Sequence, residues 1–190
     1  MGGYISNAGV FLVNTVFGLV LLAVMLRLLL QIVHARFNNP MAQFLVKVTN
    51  PLLVPLRRIV PGVGGIDMAS VVLLVFLKSI EVLIVGLIVG AAVSPVALFI
   101  LVFAELLDLL LKVYLYGLLI QVIASWIAPG NYNPALAMIQ QINEPIMAPA
   151  RRVMPPISGM DLSPILVMVA LQLASMLLVA PLIGLAGTLG

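Results

Sequence analysis

The segment NPLLVPLRRIVP at residues 50–61 and the segment EPIMAPARRVMP at residues 144–155 decide the fold. They are one pattern written twice. Working outward, Asn39-Pro40, Pro51, Pro55, Arg57-Arg58, Pro61, Gly65 and Asp67 return as Asn133-Pro134, Pro145, Pro149, Arg151-Arg152, Pro155, Gly159 and Asp161. The offset is 94 residues throughout, without a gap. Each copy lies between two long apolar stretches. The unit that repeats is therefore an apolar span, a Pro/Arg-rich loop and a second apolar span.

Composition says what surrounds these spans. The chain of 190 residues is 64% hydrophobic and 8% charged, with a mean hydropathy of +1.29. A soluble domain carries about 25% charged residues. So little charge cannot cover a surface in water, and lipid is the expected solvent. There is no cysteine and one histidine, His34, which excludes disulfides, thiolate chemistry and multi-histidine metal sites. A net charge of +3 is too small for a nucleic-acid-binding stripe. The first nine residues carry no Lys or Arg, unlike a signal peptide, so the first span is expected to be retained.

Four segments are long enough to cross a bilayer, which needs roughly 20 apolar residues. The expected fold is an all-α membrane protein of four transmembrane helices. Residues 1–94 form the first repeat, with spans at 10–33 and 68–93; residues 95–190 form the second, with spans at 96–127 and 163–185. Arg36, Lys47, Arg57 and Arg58 lie in the first long loop, and Arg151 and Arg152 in the second. The positive-inside rule places both long loops in the cytoplasm and both termini in the periplasm. The two hairpins then run in the same direction, as parallel repeats.

Each loop opens with an amphipathic stretch. Met41, Phe44, Leu45 and Val48 share one helical face, as do Leu136, Ile139 and Ile142. A helix of this kind can lie at the lipid interface or pack on the span ends. Asn50-Pro51 and Glu144-Pro145 are expected to stop these helices, because a residue before proline is pushed out of the α region. The dibasic pairs Arg57-Arg58 and Arg151-Arg152 either anchor the loops at the headgroups or form a site for an anionic lipid or an acidic partner. Asp67 and Asp161 are placed to cap the following span or to pair with these arginines.

The same offset aligns polar residues inside the spans: Asn14 with Asp108, Arg27 with Gln121, Lys78 with Gln172. Glu81, Glu105 and Lys112 complete an intramembrane polar seam. Helical rise puts Lys78 and Asp108 at similar depth, so a Lys78–Asp108 pair is expected, with a local Asp108–Lys112 pair permitted at i,i+4. The seam is read as setting helix register, with an ion or proton path as the alternative. Gly86 and Gly90 align with Ala180 and Gly184, a small-xxx-small pattern that can join the two halves or two copies of the chain.

These residues resemble the YggT/YlmG family of small integral membrane proteins, as two tandem copies covering nearly the whole chain. Ser125-Trp126, Asn133-Pro134, Glu144-Pro145, Pro149, Arg151-Arg152, Pro155-Pro156, Gly159, Asp161 and Ser163-Pro164 carry the resemblance. The first copy departs from it, with Gln31-Ile32, Asn50 and Ala69-Ser70 at the equivalent places. If Trp126 or Glu144 carries the function, only the second copy is competent. The resemblance implies a bacterial inner-membrane protein without established catalysis. Such proteins are associated with osmotic or potassium stress tolerance, septum and cell-shape control and, in plastids, nucleoid organisation and cytochrome b6 maturation. The expected role is a non-enzymatic scaffold or assembly factor; the alternative is an ion-handling protein or channel subunit. Expected partners are membrane lipids, a membrane or cytoplasmic protein and a second copy of the chain; no cofactor, metal or direct nucleic-acid contact is expected.

Overall fold

The computed structural model describes residues 2–35, 38–127, 133–154 and 161–189, which form six helices. These are α1 (Gly2–Ile32), α2 (Pro40–Arg57), α3 (Met68–Val89), α4 (Pro95–Ile127), α5 (Pro134–Val153) and α6 (Ser163–Leu189). Three of them, α1, α3 and α6, are long and apolar enough to cross a membrane. Their outer faces expose Phe11, Leu19, Phe76 and Leu177, as helices solvated by lipid do. The 33-residue α4 is equally apolar over most of its length but carries Glu105, Asp108 and Lys112 within three turns.

Helix α1 packs on α3, α4 on α6, and α3 on α4. The shorter α2 lies against α1 and α3, and α5 against α4 and α6. Helices α2 and α5 meet at one end of the bundle, where the Asn39 side-chain amide donates to the carbonyl of Pro134. The larger core draws Leu21, Val24, Leu28 and Leu30 from α1, Leu53 from α2 and Leu73 from α3. It also takes in Met138 and Ile142 of α5. A smaller core joins Leu118, Met147, Ala150 and Val167.

Local chemistry explains the helix ends. Asn39 and Asn133 are N-caps whose side chains accept from the backbone N–H of Met41 and Ala135, at 2.8 and 2.9 Å, each followed by proline at the first helical position. Gly90, at φ 72°, ends α3 in the left-handed conformation that glycine adopts without steric cost. His34 takes the same role after α1, at φ 51°, and the Ala35 N–H returns to the Leu30 carbonyl. The histidine is a helix terminator here. Within α6 a π turn at Ser175–Val179 precedes Pro181, a residue that cannot donate to the helical ladder.

Two expectations need correction. The loop prolines do not stop the amphipathic helices: α2 runs through Pro51 and Pro55, and α5 through Pro145 and Pro149. Prolines four residues apart share one face, and all four are exposed. Opposite them, Leu53 and Met147 are completely buried, which offsets part of the cost of about 3 kcal/mol for an interior proline. The second correction concerns the small residues. Gly86 and Gly90 close the end of α3, where a Cβ on Gly86 would sit 3.1 Å from Val93. Ala180 and Gly184 are exposed, so this pattern does not pack one half on the other.

Candidate functional site

The polar groups gather in two levels. At the α2/α5 end, Arg27 of α1 donates to the Thr49 hydroxyl at 2.6 Å and to the Val46 carbonyl at 3.3 Å. The Thr49 hydroxyl itself donates to the Leu45 carbonyl. In the second repeat, Asn143 donates to Gln121 at 3.1 Å. Residues 27 and 49 map onto 121 and 143, so each repeat ties its short helix to its first long helix by the same polar link. Arg27 and Gln121 therefore do not belong to a seam between spans. Gly117 lets α5 approach α4 here, since a Cβ would lie 3.2 Å from the Asn143 carbonyl oxygen.

A second link repeats as well. The Arg57 guanidinium grips Asp67 through two nitrogens, at 2.5 and 3.1 Å, and the Ser70 hydroxyl donates to the same carboxylate oxygen. Arg151 donates to Asp161 at 3.1 Å and to Glu144 at 3.1 Å. Asp161 also accepts from the backbone N–H and hydroxyl of Ser163, capping α6. Burial pushes the Asp67 carboxyl up, but hydrogen bonds from Arg57 and Ser70 and the charges of Arg57 and Arg27 outweigh it. The net result lies below the usual carboxylate range. Asp161 is lowered in the same way, burial being outweighed by Ser163 and Arg151. Arg151 is raised, because Asp161 and Glu144 outweigh its own desolvation.

Each dibasic pair is thus split. Arg57 and Arg151 are held on aspartates, whereas Arg58 and Arg152 are exposed and make no ion pair among the described residues. Trp126 is 77% exposed at the end of α4. Arg36, Pro155, Pro156 and Gly159 lie outside the described residues.

Between the long helices, Lys78 bonds Glu81 at 2.9 Å and Glu105 at 2.6 Å. The expected Lys78–Asp108 pair is not formed. Asp108, one turn further along α4, pairs with Lys112 at 2.6 Å and accepts from Ser175 of α6. Helical rise gives height but not rotation about the axis, and α4 presents Glu105 to α3 and Asp108 to α6. The two charged groups line separate cavities. One, of about 350 Å³, is bordered by Asn14, Lys78, Glu81 and Glu105. The other, of about 130 Å³, is bordered by Asp108, Lys112, Gln172 and Ser175. A larger cleft, about 750 Å³, lies instead at the α2/α5 end and includes Arg27, Gln31, Lys47, Asn50, Arg57 and Asp67. No group of three or more His, Asp or Glu among the described residues is placed to hold a metal ion.

The doubling is also seen in the comparison with known families: the family model described as CCB3/YggT matches residues 6–88 and again residues 94–182. The chain belongs to the CCB3/YggT family. It is 41% identical over 185 residues to the Pseudomonas aeruginosa uncharacterized protein PA0392, covering 96% of this chain and 94% of that one. A Vibrio alginolyticus protein described as uncharacterized, in the proC 3′ region, is 39% identical over 90% of this chain and 94% of its own length. Uncharacterized protein YggT of Escherichia coli K12 is 35% identical over 90% of this chain and 88% of its own. No solved structure matches. Each CCB3/YggT segment contains one Arg–Asp grip and one polar link to the short helix. Sequence reasoning missed the polar link to the short helix, although Thr49 and Asn143 stand at the same offset as Arg27 and Gln121 and carried the signal.

Proposed function

We propose that this chain is a non-enzymatic scaffold or assembly factor of the bacterial inner membrane, built as two parallel hairpins. In this reading α4 also crosses the membrane, as the third of four spans, both termini are periplasmic, and α2 and α5 lie on the cytoplasmic side with their basic residues. The observation that carries it is the division of labour within each dibasic pair. Arg57 and Arg151 hold the loops to Asp67 and Asp161. Arg58 and Arg152 present two exposed cations, a pseudo-symmetric platform for an acidic partner surface or anionic headgroups, with Glu144 and the exposed Trp126 as further candidate contacts of the second repeat. The resemblance to proteins of osmotic stress tolerance and cell-division organisation suits such a platform.

The intramembrane charges favour this reading over conduction. Lys78 closes on Glu81 and Glu105, and Asp108 on Lys112, in cavities that share no lining residue. The test is crosslinking in native membranes with the Arg58→Gln/Arg152→Gln protein. Loss of the crosslinked partner bands at unchanged insertion supports the platform; an unchanged band pattern contradicts it. Potassium or proton flux in liposomes that Asp108→Asn abolishes would establish the ion-handling alternative instead.

A further inference from the structure

The two repeats share a frame but differ in charge at the cleft beside α2. In the first repeat the cleft is bordered by three cations, Arg27, Lys47 and Arg57, and by one carboxylate, Asp67. The equivalent positions in the second repeat are Gln121, Gln141, Arg151 and Asp161, and Glu144 replaces Asn50. That repeat therefore holds one cation against two carboxylates. Arg151 is neutralised on both sides, while the first cleft keeps an excess of two positive charges.

Arg27 makes this excess unusual. It is 4% exposed, and it makes no ion pair among the described residues. Its recorded hydrogen bonds, to Thr49 and Val46, both come from a single terminal nitrogen. Its hydrogen-bond partners are neutral, and the cleft's one carboxylate, Asp67, is already gripped by Arg57, so burying this guanidinium is costly unless a further anion completes it. The neighbouring donors are of the kinds that recognise tetrahedral oxyanions. Two guanidinium forks and an ammonium converge from α1 (Arg27) and α2 (Lys47, Arg57), with the side-chain amides of Gln31 and Asn50 beside them. The cleft volume of about 750 Å³ is far larger than a bare phosphate needs and suits a substituted one. Val46 and Val60 in its wall offer apolar contact to the substituent.

We infer that the first-repeat cleft is a binding site for a phosphoryl group, held by Arg27, Lys47 and Arg57. It goes beyond the platform of Arg58 and Arg152 and does not depend on it. The phosphoryl group comes either from a phospholipid headgroup entering from the bilayer edge or from a soluble phosphate. The second repeat is the built-in control, since evolution of the same frame left Gln121 and Glu144 where the first has Arg27 and Asn50.

The experiment uses the full-length protein in micelles and two probes. In one arm, native mass spectrometry compares retention of phosphatidylglycerol with that of phosphatidylethanolamine. In the other, inorganic phosphate is titrated against chloride at equal ionic strength and the thermal midpoint is read. Asn50→Glu supplies the carboxylate that the second repeat already tolerates, and Arg27→Gln supplies that repeat's own residue, so both keep the fold. Wild type and Arg58→Gln are expected to bind at least one probe, and Asn50→Glu and Arg27→Gln to bind it at least tenfold more weakly. Selective retention of phosphatidylglycerol assigns a lipid headgroup; a phosphate-specific rise in midpoint assigns a soluble phosphate. Absence of both in wild type, or equal binding by wild type and Asn50→Glu, overturns the site.

Discussion

Helices α2 and α5 carry the same asparagine cap, the same two interior prolines and the same closing arginines, yet they sit differently in the bundle. Phe44 of α2 is 58% exposed, while its counterpart Met138 of α5 is 6% exposed. Val48 is 49% exposed, and its counterpart Ile142 only 2%. Both helices bury the stripe through Leu53 and Met147. Only α5 buries the neighbouring stripe too, because it reaches across to the core built on α1. Duplication copied the frame, whereas burial and charge diverged upon it. Met41, Phe44 and Val48 of the apolar face of α2 are left on the outside of the bundle, while Leu45 turns into the core, and the acyl–headgroup boundary suits the exposed three. The cleft beneath α2 is cationic; at the equivalent positions of the second repeat, carboxylates outnumber the single cation.

The sharpest way to break this comparison is at the positions where burial differs most. Met138→Ala should cost about 2–5 kcal/mol, the usual range for emptying a core site. Phe44→Ala should stay within about 0.5 kcal/mol, as for an exposed position. Reversible unfolding in mixed micelles measures both. Equal costs would mean that α2 and α5 are packed alike.

The aspartates come next. Asp67 is nearly buried, with a side-chain exposure of 5% against 33% for Asp161. Asp67→Asn should cost about 2 kcal/mol, below the figure for a fully buried pair because Arg57 is half exposed. Asp161→Asn should cost about 1 kcal/mol or less, as for a surface pair. Both carboxyls titrate below their unfolded value of about 3.9. Their contribution is present above that value and is lost as the pH falls through the lowered one. Stability should therefore decline on acidification below about pH 4, and Asp67→Asn should flatten that decline more than Asp161→Asn.

The caps give the smallest effect. Asn133→Ala should cost about 1 kcal/mol, the usual worth of an N-cap. Asn39→Ala should cost roughly 1 kcal/mol more, because Asn39 also holds the Pro134 carbonyl. A cost for Asn39 no greater than for Asn133 would show that the link between the two short helices carries no energy.

How far the sequence could be read depended on the kind of information each feature needs. Three of the expected spans were legible because apolar length acts locally. The caps at Asn39 and Asn133 and the helix end at Gly90 are local signals too, but in the sequence Gly90 reads as a packing position and the asparagines only as part of the repeat. The Arg57–Asp67 and Arg151–Asp161 grips were legible because both members repeat at one offset. Continuation of α2 and α5 through their prolines was not, since it depends on which face of each helix is buried. The partner of Lys78 was missed by one turn because a sequence fixes height along a helix but not its rotation. The functional weight given to Glu144 also shifts once the geometry is known: Glu144 neutralises Arg151, and its absence at Asn50 leaves the first cleft charged.

The central claim is that the two copies are parallel hairpins whose basic short helices share one side of the membrane. The chain has no cysteine, so single substitutions report cleanly. Arg58→Cys, Arg152→Cys and Ser94→Cys proteins would be treated with a membrane-impermeant maleimide in right-side-out and in inverted inner-membrane vesicles. Positions 58 and 152 are expected to react only in inverted vesicles, and position 94 only in right-side-out ones. Reaction of positions 58 and 152 from opposite sides would contradict the account.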